Sequence, residues 1–129
     1  MSYPTDFKYT KEHEWIKANG NTATIGITTY AQESLGDIVF VELPKPGSEI
    51  TLGKTFGSVE SVKAVSDLFA PASGTVTEVN AELNTAPEKV NKDAHGSWMI
   101  KVTLKNPGEL GSLLSAADYE KFVAEESGH

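Results

Sequence analysis

The stretch GSVESVKAVSDLFAP, residues 57–71, decides how the middle of this chain folds. The β-branched residues Val59, Val62 and Val65 favour strands. Two strand-like runs, KTFGSVES and AVSDLFA, are separated by only about two residues, Val62 and Lys63. So short a link between antiparallel strands predicts a tight hairpin. Lys63 is therefore expected at an exposed turn, where a second protein can reach it.

Alternating apolar residues predict further strands on both sides of this hairpin. In residues 13–28, Ala23, Ile25 and Ile27 alternate with polar or small residues, and the NGN run at 19–21 predicts the turn of a second hairpin. Further strands are predicted in DIVFVELP, SEITLG, TVTEV and SWMIKVTL. Three aromatic residues within predicted strands are assigned to the core: Trp15, Phe40 and Trp98.

Three segments carry helix signals. Thr28 or Thr29 can cap a short helix that ends at Gly36. In NTAPEKVN (84–91) the spacing of Thr85 and Glu88 fits a capping box, which predicts one brief helix. The C-terminal segment predicts a helix capped by Ser115, with an apolar stripe of Tyr119, Phe122 and Val123. Many short strands with few helices predict a mainly β fold, a small sandwich or flattened barrel, formed by one domain over residues 1–129.

Composition limits the classes of partner. The 129 residues carry a formal net charge of −7, which disfavours nucleic acid and anionic membranes as partners. The charge suits docking onto basic protein surfaces, although it equally serves solubility. The chain has no cysteine, and its three histidines, the last of them His129, lack metal-ligand spacing. No apolar run is long enough to span a membrane, and the polar N-terminal segment indicates a cytoplasmic protein.

Two interpretations of Lys63 compete. A surface lysine is most often a solvated charge that keeps a strand edge soluble. Alternatively, its amine is the attachment point of an activated carboxylic acid, and biotin and lipoate are the two acids that carry chemistry on protein arms. Biotin acceptors typically have methionine on both sides of the lysine, whereas Lys63 lies between Val62 and Ala64. The flanking residues therefore favour lipoate.

Several motifs, in order, resemble one family. YTKEHEW, ATIGIT, YAQESLGDIVFVELP, FGSVESVKAVSDLFAPASGTVTEVN and SWMIKV are similar to the glycine cleavage system H protein family. The resemblance runs from about Tyr9 to Val123. It implies a barrel-sandwich hybrid fold of the lipoyl/biotinyl type and a lipoyl group on Lys63.

The resemblance also implies a function, that of a cofactor-bearing carrier and not an enzyme. A pyridoxal-phosphate-dependent glycine decarboxylase would pass an aminomethyl group to the arm, and a folate-dependent aminomethyltransferase would take it over. A flavin-containing dihydrolipoyl dehydrogenase would then reoxidise the arm. A lipoate ligase or lipoyl transferase would attach the cofactor. A monomer is expected.

A water-excluding cleft for the loaded arm is implied beside the N-terminal hairpin and the first helix. The positions that match it are Glu14, Ile27, Ala31, Ser34, Leu35, Ala64 and Asp67. Glu14 is expected to pair with the ammonium of the loaded arm, and Asp67 alternatively satisfies backbone groups near the hairpin. Some family members have histidine at position 34, so that residue's role does not transfer to Ser34. Glu12 is expected either to raise the pKa of nearby carboxylates or to strengthen cation binding.

Four alternatives stay open with unequal support. A biotin carrier lacks the expected methionines. A lipoyl domain of a 2-oxoacid dehydrogenase would carry a different tripeptide and adjoin a large acyltransferase. A protein that relays lipoate to other enzymes would use the same lysine. An enzyme has the weakest support, because the sequence shows no Ser–His–Asp order, metal cluster or phosphate loop.

Overall fold

The computed structural model describes residues 3–127, and this part of the chain forms two antiparallel sheets with short helices between strands. The strands are β1 (Lys8–Tyr9), β2 (Glu14–Asn19), β3 (Thr22–Ile27), β4 (Ile38–Glu42), β5 (Glu49–Ile50), β6 (Thr55–Ser61), β7 (Val65–Phe69), β8 (Gly74–Val79) and β9 (Ile100–Leu104). Six of them pair in the order β1-β2-β3-β9-β8-β5, and the other three pair in the order β4-β6-β7. The predicted mainly β architecture is confirmed.

The N-terminal hairpin forms as its sequence predicts. Asn19 pairs with Thr22 at the end of the β2–β3 ladder, which leaves a two-residue loop. Gly20 has a φ of 65°, a conformation that two-residue hairpin turns require and that glycine adopts without strain. The period-two pattern of β3 places Ala23, Ile25 and Ile27 in the core.

Two apolar clusters hold the sheets and helices together. The inner faces of both sheets form the larger cluster, with Ile25, Val59 and Ile100 among its fully buried members. A second, aromatic cluster lies under the N-terminal segment and the C-terminal helix. Its buried members are Tyr3, Phe7, Tyr9, Trp15, Ala116 and Tyr119. Of the predicted C-terminal stripe, Tyr119 is buried, whereas Phe122 and Val123 pack against the cluster while partly exposed. His129 lies outside the described residues.

The helices are α1 (Thr29–Leu35), α2 (Glu82–Thr85), α3 (Lys89–Lys92) and α4 (Ala116–Ser127), with a 3₁₀ helix over Pro107–Ser112. The sequence did not indicate the 3₁₀ helix. The cap of α4 is confirmed, because the Asp118 amide donates to the Ser115 hydroxyl at 3.2 Å. None of the helices described is long and apolar enough to cross a membrane.

The prediction of one helix with a Thr85–Glu88 capping box is wrong. Thr85 is the last residue of α2, and its hydroxyl donates to the Glu82 carbonyl. Ala86 has a φ of −138°, because the ring of Pro87 forces the preceding residue away from helical geometry. The segment therefore forms two single-turn helices.

The assignment of Phe40 to the core is also wrong, since 48% of its surface is exposed. A register shift between Ile38 and Phe40 lets Ile38 and Val41 both face the interior, so Phe40 points outward. Trp98 precedes β9 and is only partly buried, with the Lys101 ammonium 4.8 Å from its ring centroid. Trp15 is buried as predicted.

Gly57 is expected to be essential for the pairing of β4 with β6. A β-carbon at this position would lie 2.4 Å from the Glu42 carbonyl oxygen, a backbone atom that cannot move without disrupting the ladder. We therefore expect Gly57→Ala to lower the free energy of unfolding by about 2 kcal/mol, measured by urea denaturation. The control is Gly111→Ala, where a β-carbon meets nothing within 4 Å. Equal stabilities of the two variants would contradict this interpretation.

Candidate functional site

The hairpin predicted from GSVESVKAVSDLFAP is present. Strands β6 and β7 are antiparallel, and Glu60 pairs with Val65 at the end of the ladder. Lys63 lies in the turn between them and is exposed. Within the part of the chain that the structure describes, its ammonium forms no ion pair and no hydrogen bond. The amine is thus accessible, and modifying it would break no existing contact.

The Ser61 side chain organises the Lys63 turn. Its hydroxyl oxygen accepts hydrogen bonds from the amides of Lys63 at 3.3 Å and Ala64 at 3.1 Å. The Ser61 amide donates to the Ala64 carbonyl at 2.8 Å and closes the turn. Ser61 is buried, so its hydroxyl is held in place beneath the exposed lysine. The sequence reasoning missed this residue, although a serine that precedes a turn is a known turn-forming signal.

Helix α1 runs beside the Lys63 turn. Thr28 caps it by accepting from the Ala31 amide, and Gly36 ends it with a φ of 78°. Lys63 Cε lies 3.9 Å from the place that a β-carbon on Gly36 would occupy. The Val62 amide donates to the Asp37 carbonyl at 3.0 Å, which joins the turn to the segment after the helix.

Asn91 holds the segment between Gly36 and Ile38 in place through two side-chain hydrogen bonds. Its side-chain nitrogen donates to the Gly36 carbonyl, and its side-chain oxygen accepts from the Ile38 amide, both at 2.8 Å. Because Asp37 lies between the two contacts, Asn91 also determines where the Lys63 turn can dock. No sequence signal indicates this role, since Asn91 is distant in the chain from both Gly36 and Lys63.

The predicted cleft residues of α1 differ in exposure. Ala31 and Leu35 are partly buried and pack against the main core, whereas Ser34 is exposed. Ile27, just before the helix, is buried and pairs with Glu14 across the β2–β3 ladder. The structure therefore places Ile27, Ala31 and Leu35 at the same apolar core, with Glu14 opposite Ile27 on the neighbouring strand.

Glu14 is a buried carboxylate, with 1% of its surface exposed. One oxygen accepts from the Thr10 hydroxyl at 2.6 Å, and the other accepts from the Phe69 amide at 3.1 Å. Burial raises the pKa of Glu14 from 4.5 to about 7, and these two hydrogen bonds offset part of the rise. A carboxylate that is costly to ionise in a sheltered place is a strong partner for a cation that enters it.

A cavity of about 230 Å³ adjoins Glu14, and Thr10, Glu12, Phe69 and Leu113 are among the residues that line it. Glu12 is exposed, and its negative charge further raises the pKa of Glu14. Of the two effects expected of Glu12, the rise in the pKa of a nearby carboxylate is therefore present.

Asp67 and Ala64 lie apart from this cavity. Asp67 is exposed on β7 and lines a separate groove together with Glu42 and Phe56. Its carboxylate accepts no hydrogen bond from residues 3–127, so the alternative role in satisfying backbone groups is not fulfilled there. Ala64 is exposed beside Lys63 and contributes its backbone to the turn.

A barrel-sandwich of this kind, with an exposed lysine at the turn of a hairpin, defines a carrier domain. The chain also matches the family model described as Glycine cleavage H-protein over residues 7–126. It is 74% identical over 129 residues to a glycine cleavage system H protein of Koribacter versatilis, with both chains fully covered. It is 64% identical, again over both full lengths, to the H protein of Acidobacterium capsulatum.

A solved structure agrees with the sequence comparisons. The crystal structure of a glycine cleavage system H protein from Mycobacterium marinum superposes with a TM-score of 0.86 at 39% identity, covering 98% of this chain and 100% of that chain. The chain belongs to the glycine cleavage H-protein family, whose members are carrier subunits and not catalytic enzymes.

Proposed function

We propose that this chain carries a lipoyl group in amide linkage to Lys63 and serves the glycine cleavage reaction as its mobile substrate. The observation that carries the proposal is an exposed, unpaired lysine at the turn of a hairpin whose backbone is fixed by Ser61. A ligase must bring a lysine amine into its own active site. The Lys63 amine can enter that active site at little cost in free energy, because no hydrogen bond or ion pair within residues 3–127 has to break and the turn is already rigid.

The residues present fit such a group. When bound, it would supply a disulfide that can be opened and re-formed, which no side chain of this cysteine-free sequence can do. Lys63 would hold it covalently, and the tether would keep it at high effective concentration near any docked enzyme. Ile27, Ala31 and Leu35 would supply an apolar wall for the arm, with Ser34 and Ala64 at its exposed edge.

Glu14 would protect the loaded state. An aminomethyl group bound through sulfur loses ammonia in water, so excluding water and neutralising the ammonium both slow the loss. Glu14 offers a negative charge at a site sheltered from solvent, where an ion pair is stronger than on the surface. Asp67, exposed on β7 opposite Ser58, is retained as a second acidic residue of the proposed arm site.

The proposed partners are the pyridoxal-phosphate-dependent decarboxylase, the folate-dependent aminomethyltransferase, the dihydrolipoyl dehydrogenase and the enzyme that attaches lipoate. The features that support docking are the net charge of −7 and the exposed apolar side chains of Val62 and Val65, 70% and 67% exposed, on either side of Lys63. We place the carrier in the cytoplasm as a monomer. A relay of lipoate to other enzymes would use the same lysine and stays the second candidate.

Mass spectrometry tests the attachment directly. The chain purified from a lipoate-competent host is expected to contain a species heavier by one lipoyl group, with the adduct confined to the peptide that bears Lys63. The same preparation is not expected to bind streptavidin. An adduct on a different lysine, or a preparation active in glycine cleavage whose Lys63 is entirely unmodified, would refute the proposal.

A further inference from the structure

The hydroxyl of Tyr119 joins the C-terminal helix to the two walls of the proposed arm cleft, which are the start of β2 with Glu14 and helix α1. Tyr119 is fully buried on α4. Its oxygen lies 2.8 Å from His13 Nδ1 and 2.7 Å from the Thr28 hydroxyl oxygen. His13 directly precedes Glu14, and Thr28 caps α1. One side chain, 91 residues beyond Thr28 in sequence, therefore contacts the start of each wall.

When His13 is neutral, one assignment of donors and acceptors is consistent for all the hydrogen bonds that link His13, Tyr119 and Thr28. His13 Nε2 lies 3.0 Å from the Glu126 carboxylate, which can only accept, so we assign the proton to Nε2. Nδ1 then accepts from the Tyr119 hydroxyl, and Tyr119 accepts from the Thr28 hydroxyl. The Thr28 oxygen in turn accepts from the Ala31 amide at 3.2 Å. Every polar atom in this chain of bonds has a partner, so removing one hydroxyl takes a partner from the groups on both sides of it.

Both walls depend on such contacts. His13 has a φ of 73°, the only left-handed non-glycine residue within 3–127, and its carbonyl accepts from the Thr28 amide at 3.0 Å. None of the seven residues of α1 is fully buried, so packing alone holds this helix weakly. The contacts at its two ends, Thr28 with Tyr119 and Gly36 with Asn91, therefore fix its position.

We infer that Tyr119 is a positioning residue of the arm cleft: through His13 and Thr28 its hydroxyl holds Glu14 and α1 at the distance that shelters the loaded arm. This inference rests on the proposed function. The inference has a structural half, that Tyr119 holds α1 in place, and a functional half, that this shelters the loaded arm. The structural half concerns only residues of this chain and can be measured on the unmodified protein.

Amide hydrogen exchange of the unmodified chain tests the structural half. Tyr119→Phe keeps the ring that stacks on Tyr9 and removes only the hydroxyl. The amides of Ala31 and Gln32 are expected to exchange roughly tenfold faster in this variant, because the cap of α1 loses its support. The matched control is Tyr9→Phe, which removes another buried hydroxyl from the same cluster, one that donates to the Pro4 carbonyl at 2.7 Å. Exchange of the α1 amides is expected to be unchanged in the control.

The rate of ammonia release from the aminomethyl-loaded protein tests the functional half. Thr28→Val removes the Thr28 hydroxyl and keeps every ring of the aromatic cluster, so it keeps the test available should Tyr119→Phe fold poorly. Ammonia release is expected to rise roughly tenfold in Thr28→Val and Tyr119→Phe. Thr28→Ser, which retains the hydroxyl, is expected to restore the wild-type rate.

Two results would overturn the inference: α1 exchange no faster in Tyr119→Phe than in Tyr9→Phe, or faster α1 exchange without faster ammonia release. A wild-type chain that never acquires a lipoyl group would instead defeat the proposed function. In that case the exchange data alone decide whether Tyr119 holds α1.

Discussion

Replacing Lys63 by arginine is expected to leave the fold intact and to reduce glycine–bicarbonate exchange to background. Arginine keeps the positive charge and the length of the side chain, but its guanidinium stays protonated and cannot be acylated. The exposed Lys63 ammonium has no partner among the described residues, so the free energy of unfolding is expected to change by less than about 0.5 kcal/mol. The loss of activity therefore cannot be assigned to unfolding.

The measurement is exchange of labelled bicarbonate into glycine with the decarboxylase present, alongside intact mass and a urea melt. Lys45→Arg is the matched control, since Lys45 is also exposed and forms no ion pair within residues 3–127. It is expected to retain both the lipoyl adduct and the exchange activity. Full exchange by the Lys63→Arg chain would end the proposal.

Replacing Glu14 by glutamine is expected to leave the lipoyl adduct in place and to speed ammonia release from the loaded protein at least about tenfold. The reason is the loss of the buried ion pair between Glu14 and the ammonium. Removing one partner of a buried pair costs more free energy than removing one partner of an exposed pair. Glutamine preserves the size of the side chain, so the cleft keeps its shape. The measurement is ammonia release from the isolated loaded protein, with tetrahydrofolate and the transferase both absent.

Glu12→Gln is the control for Glu14→Gln. Glu12 is exposed, and its charge only raises the pKa of Glu14, so its removal leaves the buried carboxylate in place and easier to ionise. Ammonia release from the Glu12→Gln protein is expected to be no faster than from the wild type. If Glu14→Gln behaves in the same way, Glu14 does not hold the ammonium.

Glu14 is also expected to make the unfolding free energy of the wild type depend on pH, and Glu14→Gln is expected to remove that dependence. In the folded chain the pKa of Glu14 is raised from 4.5 to about 7, so the folded state binds more protons than the unfolded state between these values. The unfolding free energy of the unloaded wild type is therefore expected to fall as pH rises through this window, by about 3 kcal/mol from this residue. In Glu14→Gln this component is absent, and urea melts at pH 4.5 and pH 8 measure the difference.

Local patterns in the sequence sufficed for several elements. The short link between two strand-like runs placed Lys63 at a hairpin turn, and alternation in 22–27 placed Ile25 and Ile27 inside. Of the two predicted cap residues, Thr28 caps α1, and Gly36 ends the helix as predicted. These features succeed because strand alternation, helix capping and tight turns depend on residues only a few positions apart.

Local patterns failed where a neighbouring strand or a nearby proline overrode them. Phe40 is apolar and lies in a strand, yet a register shift against β6 turns it outward. Thr85 and Glu88 have capping-box spacing, yet Pro87 divides the segment. In both cases the residues have the propensities that the prediction used. The register of β4 and the break before Pro87, however, are backbone geometry that residue spacing alone does not encode.

The sequence by itself determined the hairpin that exposes Lys63, because a hairpin is a short-range structure. Only the tertiary structure decided the character of Glu14. Burial raises its pKa, and the hydrogen bonds from Thr10 and the Phe69 amide offset part of that rise. Burial, pKa and the Tyr119 contacts arise from residues far apart in the chain, and their effect exists only after those residues have been brought together.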